Sequence, residues 1–228
     1  MDDTLRLVVG LGNPGPRYAG NRHNIGWRVL DELARRRGLA FDRHGDRWTA
    51  AGPDADGLVL LKPLTYMNLS GEGVLAWAGA MGVEVTGAPP PAPAPAGDDG
   101  AGDRPGPPAA DAALRPLVVC DDLALPLGAV RLREQGSSGG QNGLASLIAH
   151  LGGNVFPRLR LGVGPVEGAV PPADWADYVL ADFGADEAAG LAEVVGHAAD
   201  AVLCWIEAGA TLAGSRYNRR AAPPPAAG

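Results

Sequence analysis

The chain has 228 residues, 46% of them hydrophobic and 20% charged, which is enough for one domain with a real core and too few for two large ones. A formal net charge of −7 excludes a protein that is basic throughout and gives a long-range field unfavourable to polyanions. No apolar run approaches the roughly 20 residues of a membrane span and residues 1–7 lack a secretory pattern, so the reading is a soluble, cytoplasmic protein.

Residues 5–10 (LRLVVG) read as a buried strand. Residues 25–37 read as a helix with Ile25, Val29, Leu30, Leu33 and Ala34 on one face, stopped by Gly38. Between them Gly10, Gly12 and Gly15 stand in the G-x-G-x-x-G spacing of a dinucleotide cradle. Such a cradle needs a helix that opens inside the glycine turn, so that its free N–H groups hold the pyrophosphate. Here Pro14, Gly15 and Pro16 break the chain, helical periodicity starts only near Ile25, and the expected ribose-binding acid would be Asp31 or Glu32, both inside the helix. The loop instead carries Asn13, Tyr18, Asn21, Arg22, His23 and Asn24, a dense polar set at the carboxyl end of a strand, where α/β folds place their sites.

Residues 58–62 (LVLLK) form a second buried strand, and TYMNLSG leads into a helix ending near Gly82, with Asn68 or Ser70 as its cap and Glu72 suiting its dipole. From 86 to 112, 21 of 27 residues are Ala, Pro or Gly, a composition that buries too little apolar surface to offset its ordering entropy. This segment is expected to be a disordered or extended insertion, with a domain linker as the alternative, and 221–228 (AAPPPAAG) a tail of the same kind.

Next come a strand from Leu117 to Cys120 ending in Asp121-Asp122, then Val130 to Glu134 with Arg131 and Arg133 outward. GSSGGQNG then opens a helix carrying Leu144, Leu147, Ile148 and Leu151. RLRLGVG (158–164) alternates again, and a long helix covers 185–208 before the basic end SRYNRR. Strands alternating with helices give an α/β fold: a single domain over 1–220, its twisted mixed β-sheet flanked by α-helices. Residues 86–112 and 165–200 hold twelve of the 26 acids and one of the 19 bases, so the remainder carries a positive excess that permits a basic face. The run Arg35-Arg36-Arg37 at a helix end reads as dipole complementation and solvation.

Four polar loops, around His23, Met67-Asn68, Asp121-Asp122 and Gln141-Asn142, can converge on one crevice. A histidine can take a proton at neutral pH, an aspartate can fix its tautomer, and carboxamides can hold a carbonyl or an oxyanion. GSSGG (136–140) has the letters of G-x-S-x-G but lies in a Gly-rich loop rather than a strand-to-helix nucleophile elbow, there is no H-E-x-x-H, and Cys120 and Cys204 read as two buried thiols without metal-ligand spacing, so water is the expected nucleophile.

Together GLGNPGPRYAGNRHNIGW, TYMNLSGEGV, VCDDLALPLGAVRLR, GSSGGQNGL and RLRLGVG resemble, in order and spacing, the bacterial peptidyl-tRNA hydrolase family over nearly the whole chain. The resemblance implies a monomeric, cofactor-free and metal-free enzyme that cleaves the ester between a peptide and the 3′-terminal ribose of tRNA. By it His23 is the base on water, Asp121 its support, and Asn13 a discriminator of blocked from free aminoacyl groups. Tyr18, Tyr66, Met67, Asn68 and Asn142 would line the peptide and 3′-end site, and Arg131, Arg133 and Arg160 would meet the tRNA backbone. Two positions depart from the pattern: Gln141 stands where many members carry histidine, which argues against proton transfer there, and Ala145 where a basic residue is common. Two further readings stay open: a catalytically silent RNA-binding relative of the same fold, like plant chloroplast splicing factors, and a nucleotide-dependent oxidoreductase.

Overall fold

The computed structural model describes residues 5–89, 113–166 and 168–218; the tail and residues 90–112 of the expected insertion lie outside the described residues. In chain order the elements are β1 (Arg6–Gly10), α1 (Ile25–Arg37), β2 (Arg43–Gly45), β3 (Trp48–Ala51), β4 (Leu58–Pro63) and α2 (Ser70–Met81). They continue with β5 (Leu117–Pro126), β6 (Val130–Arg133), α3 (Asn142–His150), β7 (Arg158–Gly164), α4 (Trp175–Leu180) and α5 (Ala188–Tyr217).

Among the described residues the strands make one sheet in the order β2-β3-β4-β1-β5-β7-β6. Its centre, β4-β1-β5-β7, is parallel, while β2, β3 and β6 add antiparallel edges. The central strands read as continuous apolar runs because helices cover both faces. On one face Val8, Leu117 and Val119 meet Ile25, Val29 and Leu33 of α1 and Val194, Ala198 and Val202 of α5. On the other Leu7, Val9, Val118 and Cys120 meet Val74 and Trp77 of α2 and Leu144 and Leu147 of α3. One domain with a mixed, helix-flanked sheet is thus the architecture observed.

Two glycines of the motif, Gly10 and Gly12, serve this packing. A Cβ on Gly10 would lie 2.8 Å from Gly26 O, and one on Gly26 would lie 2.5 Å from Val119 O and 2.7 Å from Leu11 O, so α1 presses directly onto the sheet. A Cβ on Gly12 would strike the Trp27 ring at 2.8 Å. No helix opens in the turn; two 3-10 turns, Pro16–Tyr18 and Arg22–Asn24, precede α1.

Several local expectations need correction. Residues 86–88 belong to the fold rather than to an insertion: Thr86 N–H donates to Leu114 O (2.9 Å) and Gly87 N–H to Leu151 O (2.8 Å). Neither Asn68 nor Ser70 caps α2, because a 3-10 turn over Met67–Leu69 feeds the helix and the Ser70 hydroxyl donates back to Met67 O (2.8 Å). The strand from Leu117 does not stop at Cys120 but runs to Pro126, with a register shift against β7 between Asp122 and Pro126. The helical span 185–217 is, by length and composition alone, apolar enough to cross a membrane, contrary to the expectation of no such stretch. Here its apolar stripe is spent on the core, and Gly209 (φ 79°, ψ 172°) breaks it.

Candidate active site

The loop after β1, the carboxyl ends of β5 and β7 and the start of α3 meet at one cleft of about 640 Å³, whose lining does not include Asn13, Tyr18, Tyr66, Met67 or Asn68. His23, Asp121, Asp122, Gln141, Asn142 and Arg160 line it, facing an apolar wall that includes Val166, Trp175 and Val179.

His23 lies in the turn Arg22–Asn24, which Asn21 begins by accepting the Asn24 N–H at its side-chain oxygen (3.1 Å). Its Nδ1 is 2.8 Å from Asp121 Oδ2, with side-chain exposures of 10% and 3%. Burial works to lower the imidazole pKa, but the charge of Asp121 and its hydrogen bond outweigh it, and the net direction is upward from 6.5. With Nδ1 held by the carboxylate, Nε2 is the nitrogen left for a substrate water. Asp121 reaches this place because β5 continues past Cys120, in register with Leu161 of β7. Its other oxygen, Oδ1, accepts from Gln141 Nε2 (3.0 Å).

Asn13 is fixed on both sides of its backbone: its N–H donates to Asn24 Oδ1 (2.8 Å) and its carbonyl accepts from Asn24 Nδ2 (3.0 Å). Its side-chain oxygen accepts the Met67 N–H (2.8 Å), joining the β1 loop to the turn before α2. Its amide nitrogen is thereby the end left to donate. Asn24 is 2% exposed and holds the Asn13 backbone to the turn that carries His23, a clamp the sequence did not disclose because its partner is eleven residues away. Met67 is buried, Asn68 and Asn142 are exposed, and Tyr66 is 58% exposed with the half-buried Tyr18 against it edge-on (6.5 Å).

The arginines divide. Arg131 and Arg133 are exposed on edge strand β6, where Arg131 is paired with Arg160 and Arg133 with Arg158 across the β6–β7 ladder. Arg160 has a different setting from the one expected: its Nε lies 3.1 Å from Asp122 Oδ2 and its Nη2 donates to Ser138 O (3.0 Å). Arg158, 1% exposed, donates to the carbonyls of Gly136, Ser137 and Asn154. Both therefore strap the Gly-rich loop 136–140 to β7. Arg35 and Arg36 pair with Glu32, Arg36 also with Asp200, and Arg37 with Asp54 and Asp56. Arg22, one of the polar loop residues but given no role from the sequence, ties the His23 turn to the chain after α4: it donates to Asp182 O (2.6 Å) and Glu187 Oε2 (2.7 Å), with Tyr178 beneath it at 4.4 Å.

Among the described residues no three His, Cys, Asp or Glu side chains are grouped as metal ligands. Cys120 and Cys204 are free and buried, and burial pushes the Cys120 thiol far above its usual range, so it is held protonated rather than nucleophilic. The groups at the cleft thus offer a buried base with a carboxylate behind it, and carboxamides beside it.

Comparison with known proteins gives a consistent result. A family model described as peptidyl-tRNA hydrolase matches residues 7–87 and 111–224, leaving the Ala/Pro/Gly-rich stretch between them unmatched. A peptidyl-tRNA hydrolase of Symbiobacterium thermophilum is 42% identical over 222 residues, covering 93% of this chain and 98% of its own. One of Chloroflexus aurantiacus is 42% identical over 214 residues with the same coverage. Among solved structures, peptidyl-tRNA hydrolase from Acinetobacter baumannii superposes with a TM-score of 0.74 at 26% identity, over 97% of both chains.

Proposed function

Because the chain belongs to the peptidyl-tRNA hydrolase family, we propose that it releases peptide from tRNA by the direct attack of a water that His23 deprotonates. The observation that carries this reading is the 2.8 Å contact between His23 Nδ1 and Asp121 Oδ2 at the head of the cleft. Asp121 keeps the Nδ1–H tautomer and stabilises the imidazolium, so that Nε2 takes the water proton as its oxygen attacks the ester carbonyl carbon. Collapse of the tetrahedral intermediate breaks the bond to the ribose oxygen, which receives the proton back from Nε2.

The amide nitrogen of Asn13, with Asn68 and Asn142, supplies neutral donors for the carbonyl as it becomes an oxyanion. Tyr18, Tyr66 and Met67 give the peptide and the 3′ end apolar and stacking surface. Arg131 and Arg133, exposed on β6, contact the tRNA backbone, whereas Arg160 serves the cleft wall through Asp122. On this reading the protein is a cytoplasmic monomer of one domain, with the Ala/Pro/Gly-rich segment as an insertion in it.

Incubation of the purified protein with N-acetylated and with free aminoacyl-tRNA tests the function. Release of the acylated residue from the blocked substrate only is the expected result. Binding of both tRNAs without release from either would leave the RNA-binding alternative in place instead.

A further inference from the structure

We propose that Gln141 is a positioning residue for the reaction, which fixes the rotation of the Asp121 carboxylate so that Oδ2 faces His23. The inference rests on the reading of His23 as base and Asp121 as its support. The geometry behind it is a relay whose polarity is set at both ends. Gln141 precedes α3 in an extended conformation, and its Oε1 accepts the free N–H of Leu144 (2.7 Å). That contact identifies the oxygen end of the carboxamide, since a flip would set NH₂ against N–H.

The nitrogen end then faces two acceptors, Asp121 Oδ1 at 3.0 Å and Met67 Sδ at 3.3 Å. Asp121 is 2% exposed and Gln141 is 7% exposed, so a donor lost here is not simply replaced by bulk water. With Oδ1 accepting from the amide and Oδ2 2.8 Å from the imidazole Nδ1, a turn of the carboxylate about its Cβ–Cγ bond breaks the first contact and carries Oδ2 away from the ring. The helix start thereby orients the base through three side chains.

The amide donates without ever carrying a charge. The other charged groups near the pair have opposite-charge partners of their own: Asp122 on β5 with Arg160 of β7, and Arg22 with Glu187. Arg158 of β7 is held by carbonyls, and Cys120 beside Asp121 stays a neutral thiol.

The decisive variant is Gln141→Glu, which is isosteric and can still cap Leu144 through one oxygen while the other turns an acceptor toward Asp121. Two carboxylates on one site favour the imidazolium, so the acid limb of kcat/KM should move to higher pH by about one unit or more. Gln141→Met, which keeps bulk but removes both the donor and the Leu144 cap, should lower kcat by about 10²-fold with KM little changed, as loss of orientation does. Gln141→His restores an N–H donor and should recover most of that loss.

A Gln141→Glu protein that melts like the wild type and keeps its pH profile would overturn the proposal, reducing Gln141 to a helix cap. So would a Gln141→His rate as low as that of Gln141→Met. If Gln141→Glu does not fold, Gln141→Met decides alone, and unchanged kcat there rejects the idea. His23→Ala run in parallel separates the two levels: retained turnover removes the base itself, whereas lost turnover beside an indifferent Gln141→Glu removes only the positioning role.

Discussion

Replacing Asp121 by asparagine changes one atom, and the structure specifies which end of the new side chain faces His23. Gln141 Nε2 donates to the Oδ1 position (3.0 Å) and its own polarity is set by Leu144, so the asparagine oxygen must occupy that side. Its NH₂ then points at His23 Nδ1, which can only accept, and the ring is forced to carry its proton on Nε2. That nitrogen can no longer take a proton from water. To regain the working tautomer the asparagine must flip, placing its NH₂ against the NH₂ of Gln141 and leaving two buried donors without acceptors. Each such donor costs about 1–3 kcal/mol, so the working form lies about 2–6 kcal/mol higher and turnover falls by about 30-fold to 10⁴-fold. The charge that raises the imidazole pKa is lost as well, so burial acts alone and the remaining activity should show its acid limb at lower pH. Single-turnover release from N-acetyl-aminoacyl-tRNA across pH, with circular dichroism to verify the fold, measures both effects. A folded Asp121→Asn enzyme within about three-fold of the wild type would refute the tautomer argument.

His23→Ala is expected to lower kcat by about 10²–10⁴-fold without changing the melting midpoint by much, and undiminished turnover would remove His23 as the base. Arg131→Ala and Arg133→Ala should each raise KM at constant kcat and flatten the salt dependence of kcat/KM by roughly one unit of slope, and an unaltered slope rules out a phosphate contact. In Gly26→Ala the new Cβ meets two backbone carbonyls at 2.5 and 2.7 Å, an overpacking cost of about 1–3 kcal/mol that lowers Tm by about 2–4 °C per kcal/mol; no loss of Tm contradicts the close packing of α1 on the sheet at Gly26. Burial lowers the pKa of His23 but Asp121 raises it more, so its stabilising contribution is complete below the ordinary value and fades as pH rises through the folded one. Urea titrations should therefore show the wild type gaining on His23→Gln as pH falls from above the raised folded value to below 6.5, and a flat difference would deny the pairing.

Much of this was legible because it depends on local periodicity. The apolar stripe of α1 and the Gly38 stop gave its limits, and the late start of that helix already argued against a dinucleotide cradle. The β2–β3 hairpin was not foreseen, since RHGDRW offers no apolar alternation and the pair is shaped by Trp48 lying over Gly45, where a Cβ would sit 2.3 Å from its indole nitrogen. His23, Asp121, Asn13 and Asn142 were nominated as chemistry, but no spacing rule could bring residues 23 and 121 together; parallel pairing of β1 with β5 does so. The same blindness to through-space partners hid Asp122 behind Arg160 and the carboxamide of Gln141 behind Asp121. Arg160 on β7 was expected to meet the tRNA backbone; Asp122 and the Ser138 carbonyl, neither visible from spacing, engage it within the protein.

The Arg158 and Arg160 straps bear on how the reaction is kept accurate. The segment from Gly136 to Gly140 has a composition usually associated with freedom, but guanidinium groups from the sheet grip its carbonyls at Gly136, Ser137 and Ser138. Gln141 and Asn142 follow directly, so their placement is inherited from strand register rather than from a wandering surface turn. On the proposed mechanism one water and one ester must be aligned with no covalent step to hold the substrate, and such a catalyst gains most from stiffness. Damage at Arg158, remote from the bond being broken, would then surface as poor alignment of the reactants.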